Sequence, residues 1–425
     1  MLRILKFGGA LLKDKQGMQQ LCSIVQNFNG QPLVVVVSAL GKTTNALEEL
    51  LQLGFEKEEA LLEKKFNELK KKHTELVDAL RFQPDHPLFL KLEELFGRLW
   101  EALHRLPADP YRAYDWVVGF GELFSSEIVQ TWLLKNRLPV KLVDARQLLV
   151  TDENFTRASI HWPYTQKTID ARCQPLLQQG KIVLTQGFIA GSEKGNPVTL
   201  GREGSDFTAA VLAYALDATE VCIWKDVPGL MNGDPRIFPD VVQLPHVSYN
   251  EAIELAFYGA SVIHPKTIQP LQRKKIPLKV CSFYSPETKP TLIDADESDD
   301  SKIPNIILKK NQTLLSISSR NLSFMAEENL KTVFSVFSRY KIHVNLMQNS
   351  AVSFSVCFDQ NPRKLQAVFQ ALQELFILKY NDGLQLLTVR HDDGKVFEKL
   401  LRGNEIYLLH ENRTTRQVLM RPVKK

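Results

Sequence analysis

The sequence predicts an α/β protein: a mostly parallel sheet sandwiched by helices, followed by smaller ferredoxin-like modules. Three observations predict it. From residue 2 to about 282, short apolar runs rich in β-branched residues alternate with helical runs, the pattern of parallel crossovers. Loops after several of those runs pair glycine with Lys, Arg, Asp or Ser, and ligands of open α/β sheets gather at such strand ends. Beyond about residue 312 the pattern becomes strand, helix, strand, strand, helix, strand, which fits one ferredoxin-like module.

Residues 2–7 are the first strand and run into Gly8-Gly9, with Lys6 just ahead. Two glycines can form a phosphate-cradling nest beside a lysine, or a plain turn. Neither the Walker spacing nor the dinucleotide G-x-G-x-x-G is present there. Residues 32–38 form the next strand, centred on a continuous valine run, and lead into SALGKTTN (38–45). Thr43, Thr44 and Asn45 are suited to cap a helix starting near Ala46, so an ordinary capped loop is the alternative to a site.

Residues 56–80 place Leu62, Phe66, Leu69, His73, Leu76 and Leu80 at spacings of three and four, and Leu88, Leu92, Leu95, Leu99 and Leu103 repeat the pattern. Pro84 and Pro87 break the run, so 56–104 reads as an antiparallel helical hairpin with His73 packed on its apolar stripe. Strands follow at 140–144, 182–186, 220–225 and 278–281.

Residues 198–236 are the most informative stretch: a loop, a helix, a strand and a second loop. Gly201, Gly204 and Ser205 open the helical run 207–216, where unpaired N–H groups and the helix dipole favour an anion. Arg202 adds a planar fork suited to carboxylate or phosphate. The strand 220–225 ends at Asp226 and a Pro-Gly turn. Residues 286–311 are polar, charged and without periodicity, and read as a linker. The end of the chain reads as a short second module, sharing strands with the first or with a partner chain.

At 425 residues the chain suggests two or three domains, and 44% hydrophobic with 24% charged residues is ordinary for a globular protein. The net charge of +5 is spread out, so no nucleic-acid partner is expected; the Lys-rich run 64–72 is a solvated helix face. Five cysteines are scattered without a CxxC pair and read as buried reduced thiols. No apolar run reaches about 18 residues and no signal peptide is evident, so no membrane span and a cytoplasmic location are expected.

KFGG (6–9), VVSALGKTTN (36–45), FGELFSS (120–126), GFIAG (187–191), TLGREGSDFTAA (199–210), WKDVPGLMNGDPR (224–236) and FYGASVIHPKTI (257–268) occur in one order over the first two-thirds of the chain. Together they resemble the amino-acid kinase family, specifically its aspartate kinases. The region from about Gln312 is similar to the regulatory ACT region of the same enzymes. The resemblance implies a catalytic domain at 1–285, a linker at 286–311 and an ACT region at 312–425 that forms a homodimer or larger assembly.

It also implies phosphorylation of L-aspartate by ATP to 4-phospho-L-aspartate, the entry to lysine, threonine and methionine synthesis, with Mg²⁺ bound through the nucleotide phosphates. The acceptor carboxylate, with a reference pKa near ~4, is ionised at pH 7 and needs no general base. The difficulty is bringing one anion to another, so positioned cations should do most of the work. Lys6 is the expected neutralising charge, with Gly8, Gly9 and Ser38 donating to phosphates. Thr44, Glu122, Arg202 and Ser205 match the family's aspartate-binding positions, Glu122 facing the ammonium and Arg202 a carboxylate. Read without the resemblance, Glu122 is a helix-start glutamate stabilised by the dipole. Asp206 either caps its helix or orients Lys6 or a metal-bound water. Lys225, Asp226, Met231, Arg236 and Ser261 fall where the family contacts nucleotide, although Asp234-Pro235-Arg236 also reads as a plain turn.

Three departures stand out. KFGGAL replaces the family's KFGGTS, so Ala10 and Leu11 lose two hydroxyls; Ser261 replaces a lysine, for which Lys266 or Lys42 would have to compensate; and the effector loop FMAEEN (324–329) lacks glycine. Asn345, Gln348, Asn349 and Ser350 are the candidate effector contacts, with strand-end turn chemistry as their other reading. Two alternatives remain beside the aspartate kinase: a kinase for another amino-acid carboxylate such as glutamate, and a sensor or assembly protein that kept the fold and lost turnover.

Overall fold

The computed structural model describes residues 1–422 other than Pro84, Ser261, Val262, 321–323 and Asp393. The chain divides into two compact units. The first comprises residues 1–230, 243–253 and 261–297, and the second 231–242, 254–260 and 298–425.

The strands, in chain order, are β1 (Arg3–Phe7), β2 (Leu33–Val37), β3 (Val140–Leu142), β4 (Val150–Thr151), β5 (Ile182–Gln186), β6 (Ile189–Ser192), β7 (Pro197–Thr199), β8 (Glu220–Lys225), β9 (His246–Ser248), β10 (Leu278–Ser282) and β11 (Thr291–Asp294), then β12 (Asn305–Ser319), β13 (Val344–Asn349), β14 (Ser353–Asp359), β15 (Phe376–Arg390), β16 (Asn404–Glu411) and β17 (Thr415–Pro422). The helices are α1 (Lys15–Gln26), α2 (Thr43–Glu56), α3 (Glu59–Ala79), α4 (Pro87–His104), α5 (Pro110–Val118), α6 (Phe120–Lys135), α7 (Trp162–Gln178), α8 (Gly204–Ala215), α9 (Tyr249–Tyr258), α10 (Pro265–Lys274), α11 (Glu327–Arg339), α12 (Pro362–Leu372) and α13 (Lys395–Leu401).

Eight strands of the first unit form one sheet in the order β3-β5-β2-β1-β8-β10-β11-β9. Its neighbours are parallel except β10 and β11. A central strand covered on both faces must be apolar throughout, and all five residues of β2, LVVVV, are buried. Phe7 and Trp224 stack on one face of adjacent strands, ring centroids 6.0 Å apart. The α8 sequence is rich in alanine and almost wholly buried, so small side chains bring its backbone close to its neighbours.

The helical hairpin is present as α3 and α4. Glu59 faces His104, Phe66 faces Phe96 and Trp100, and Lys70 faces Glu93, which is antiparallel pairing. His73 lies against Phe96 and Phe124, with Nδ1 2.9 Å from the Leu69 carbonyl. Burial lowers its pKa to about 4, so it is a neutral packed residue at pH 7.

In the second unit six strands form one antiparallel sheet, β13-β14-β12-β15-β17-β16. β12 and β15 are 15 residues long, and each serves both halves of that sheet. The short second module therefore shares strands with the first.

The structure corrects several boundaries. α2 starts at Thr43, three residues before Ala46, so Thr43 and Thr44 lie inside the helix; the Thr43 hydroxyl donates back to the Leu40 carbonyl. α8 starts at Gly204 rather than Phe207. The supposed linker 286–311 contains β11, which joins the main sheet, and the first residues of β12. Residues 231–242 and 254–260 group with the C-terminal sheet rather than with the rest of 1–285. All five cysteines are free and buried. Among the described residues no helix is long and apolar enough to cross a membrane.

Candidate active site

A cavity of about 830 Å³ opens at the carboxyl ends of β1, β2 and β8 and at the start of α8. Its lining includes Lys6, Gly9, Ser38, Thr44, Glu122, Arg202, Ser205, Asp206 and Lys225, nine positions anticipated from sequence. They come from five stretches of chain, and the parallel sheet gathers them because its strands end on one side.

Gly9 allows one of these approaches. A Cβ there would lie 1.8 Å from the Ala39 carbonyl oxygen, so no larger residue fits this turn against the β2 loop. The Gly9 carbonyl then accepts from the Gly41 N–H at 2.7 Å, fixing the first two loops to each other. Gly187 does the same at α8, where an added Cβ would meet Ser205 Cβ at 2.4 Å.

Asp206, 2% exposed in the first turn of α8, holds two lysines together. Lys6 Nζ lies 2.6 Å from Oδ1 and Lys225 Nζ 3.3 Å from Oδ2. Burial opposes ionisation of Asp206, yet the two ammonium groups prevail and hold its carboxylate below the usual range. One negative charge therefore positions two positive ones, leaving a net positive corner at the cavity wall. Asp206 does not cap α8: it lies inside the first turn, the residue before the helix is Glu203, and the Glu203 side chain makes no cap hydrogen bond.

Glu122 sits 2% exposed in the first turn of α6. Its Oε1 accepts from the Ala39 N–H at 3.3 Å, whereas Oε2 has no partner among the described residues. Burial pushes its pKa up to about 8. A buried acceptor of this kind is suited to receive a cation from the cavity. Arg202 is exposed at the opposite loop, with Thr44 half-buried in the same lining.

The other anticipated positions lie elsewhere. Gly8 stands beside the Lys6 ammonium without lining the cavity; Asp226 follows β8 and is exposed. Met231 and Arg236 belong to the second unit. There Arg236 is exposed and pairs with Asp234 at 2.8 Å, the plain-turn arrangement. Ser261 lies outside the described residues. Neither Lys42 nor Lys266 lines the cavity; Lys266 faces a separate cleft of about 200 Å³ with Trp162 and Arg273. Ala10 does line the cavity, so its missing hydroxyl is a loss at the site itself, whereas Leu11 is buried in the core.

In the second unit, Asn345 is already engaged: its amide donates to Gln312 and Asp359, and its oxygen accepts from Lys309. Ser350 closes the β13–β14 turn onto Ser353. Gln348 and Asn349 are exposed, the latter 3.5 Å from the Met325 carbonyl. Turn chemistry and an internal network thus account for Ser350 and Asn345.

Sequence reasoning missed Tyr114, Thr156, Arg157, Phe188 and Glu203, all of which line the cavity. Phe188 and Glu203 sat within the quoted motif blocks. The others come from α5 and the 152–159 loop, where nothing local marks a site.

A parallel sheet of this order with two lysines gathered at its strand ends fits a kinase of small molecules, and the chain belongs to the amino acid kinase family, whose profile matches residues 1–282. Relatives within that family include aspartokinases. It is 31% identical over 408 residues to lysine-sensitive aspartokinase 3 of Escherichia coli (strain K12), covering 91% of this chain and 86% of that protein. It is 30% identical over 387 residues to the chloroplastic aspartokinase 1 of Arabidopsis thaliana, covering 88% of this chain but only 65% of the relative's length. Among solved structures it matches Escherichia coli aspartokinase III in complex with aspartate and ADP, with a TM-score of 0.83 and 28% identity over 99% of this chain and 96% of the other.

Proposed function

We propose that the chain phosphorylates the side-chain carboxylate of L-aspartate with ATP, giving 4-phospho-L-aspartate and ADP. The observation that carries this reading is the charge pattern of one cavity. Lys6 and Lys225 share Asp206 on one wall, while a buried Glu122 with an oxygen open and an Arg202 with no ion pair, in both cases among the described residues, stand on others. An amino acid with a second carboxylate supplies the ammonium that Glu122 lacks and the anion that Arg202 lacks.

The reacting carboxylate oxygen forms a bond to the γ-phosphorus as the bond to the β,γ-bridging oxygen breaks, and ADP leaves with that electron pair. Lys6 and Lys225 lower the repulsion between the two anions, and Asp206 keeps both in place. Ser38 and Ser205 donate to ligand oxygens. Mg²⁺, bound with the nucleotide, would supply further neutralising charge; Asp206, committed to two lysines, is not a free ligand for it.

ADP release should depend on L-aspartate over L-glutamate, and hydroxylamine should trap the acyl phosphate as a hydroxamate in equal amount. ATP binding without any turnover would favour the sensor reading, for which Ala10 in the lining is the best support. Glutamate-dependent release would move the acceptor class.

Regulation belongs to the same proposal. The loop before α11 has no glycine, and Glu327 and Glu328 stand exposed in the first turn of that helix, where they repel an effector carboxylate. A lysine titration is therefore expected to leave the rate nearly unchanged. Strong saturable inhibition, removed by substitutions in 324–329, would overturn this. Assembly is proposed through 312–425, whose sheet has two exposed edges, β13 and β16; light scattering should give a dimer or larger. Five free, buried thiols favour a reducing compartment such as the cytoplasm.

A further inference from the structure

Three non-glycine residues of the cavity lining hold left-handed backbone: Thr156 (φ 67°), Phe188 (φ 66°) and Glu203 (φ 54°). Conformations of this kind gather where a site requires them. Thr156 is the only β-branched residue among the left-handed ones described, and β-branching makes that conformation hardest to hold.

Asp115 holds it. This carboxylate on α5 is 1% exposed; Oδ2 accepts from the Thr156 N–H at 2.8 Å and Oδ1 from the Thr199 hydroxyl at 2.6 Å. The chain is pinned again two residues on, where the Ala158 N–H donates to the Thr199 carbonyl at 3.1 Å. Arg157 stands between the two pins and lines the cavity. Its stem lies over Gly201, where an added Cβ would come within 3.7 Å of Arg157 Cγ and 3.1 Å of the Thr156 carbonyl oxygen. Arg202 follows directly. The Arg157 stem thus lies over the glycine that directly precedes Arg202, both arginines line the cavity, and neither guanidinium has a hydrogen bond or ion pair among the described residues. Two cations reaching into one cavity repel, and a shared carboxylate relieves that repulsion. The two lysines of the wall are already neutralised in part by Asp206, so the arginines are the cations in want of an anion.

The geometry points to Asp115 as a positioning residue that fixes Arg157 beside Arg202, so that the pair grips the carboxylate of the acceptor that does not react. The inference rests on the aspartate reading above and adds the device that selects for that second carboxylate.

Steady-state kinetics on the full chain test it, with KM measured separately for L-aspartate, its α-amide and ATP. Arg157→Ala should raise KM for aspartate about tenfold or more, leave KM for ATP within about twofold, and weaken the preference for aspartate over the amide. Asp115→Ala should reproduce that change, and the double variant should be no worse than either single one, because Asp115 acts through Arg157. Thr156→Gly in the Asp115→Ala background should restore KM, since glycine adopts this backbone unaided. An unchanged aspartate KM in Arg157→Ala overturns the inference, as do additive effects or a failed rescue. Should Asp115→Ala not fold, Arg157→Ala still decides. Wild-type turnover is the separate control. Its absence removes the aspartate reading and this inference with it, whereas turnover with an indifferent Arg157→Ala removes the inference alone.

Discussion

Lys6→Ala is expected to lower kcat about a thousandfold, with KM for aspartate changing far less. Lys6 is buried at the end of β1, and its ammonium is fixed by Asp206 before substrate arrives. A cation already in place needs no reorganisation in the transition state, and this makes it worth more than a mobile surface charge. The same substitution should destabilise the fold by about 3 kcal/mol, since it leaves a buried carboxylate with only Lys225 nearby. The two losses can be separated. Asp206→Asn added to Lys6→Ala removes the stranded charge and should recover stability in urea unfolding, while activity stays lost. Turnover within tenfold of wild type in Lys6→Ala would take Lys6 out of the transfer step. The pH dependence has a definite sign. Asp206 is held below its ordinary range, so its stabilisation is present above about pH 4 and is lost as pH falls through the lowered value.

Glu122→Gln should lower kcat/KM for aspartate about a hundredfold, the worth of one charge-assisted contact in a dry site. Its proton behaviour gives a sharper test. With a pKa raised to about 8 by burial, Glu122 is mostly protonated in the empty cavity at pH 7. An arriving ammonium favours the ionised form, so aspartate binding should release a proton. Calorimetry in buffers of different ionisation enthalpy reads that release directly, and KM for aspartate should fall as pH rises toward 8. The stability sign is the reverse of that for Asp206. The contribution of Glu122 is complete below its unfolded value, near pH 4.5, and is lost as pH rises through about 8. Buffer-independent binding heat would show that Glu122 keeps its proton and does not meet the ammonium.

Much of the fold was legible because parallel strands announce themselves. β2 is a short unbroken apolar run and β5 opens on one, Ile-Val-Leu, and β-branched runs of that length read as strands buried on both faces. Helix starts were harder. α8 begins at Gly204, and glycine reads as loop even where close packing against Phe188 requires it inside a helix. β11 went unread because TLID is four residues set in a polar stretch, and its partners β9 and β10 are distant or antiparallel. At the site, motif residues beside glycine were visible from sequence. Asp115, Thr156 and Arg157 were not. A buried carboxylate holding a strained turn leaves no spacing in the sequence, only a geometry once α5 and the loop are folded together.

The length of β12 and β15 also bears on how the C-terminal sheet comes apart. Each strand continues through both halves, although their mutual pairing shifts register between Lys309 and Leu314, so neither half owns a complete set of edges. Removing the last three dozen residues would strip β17 from β15 and leave half of a long ribbon facing water. The pair should therefore melt as a single cooperative block, with amide protons at Ile306 and Leu315 exchanging at one common rate although they lie in different halves. Two modules that share a backbone in this way behave thermodynamically as one body, and a perturbation at either end is felt along the whole ribbon.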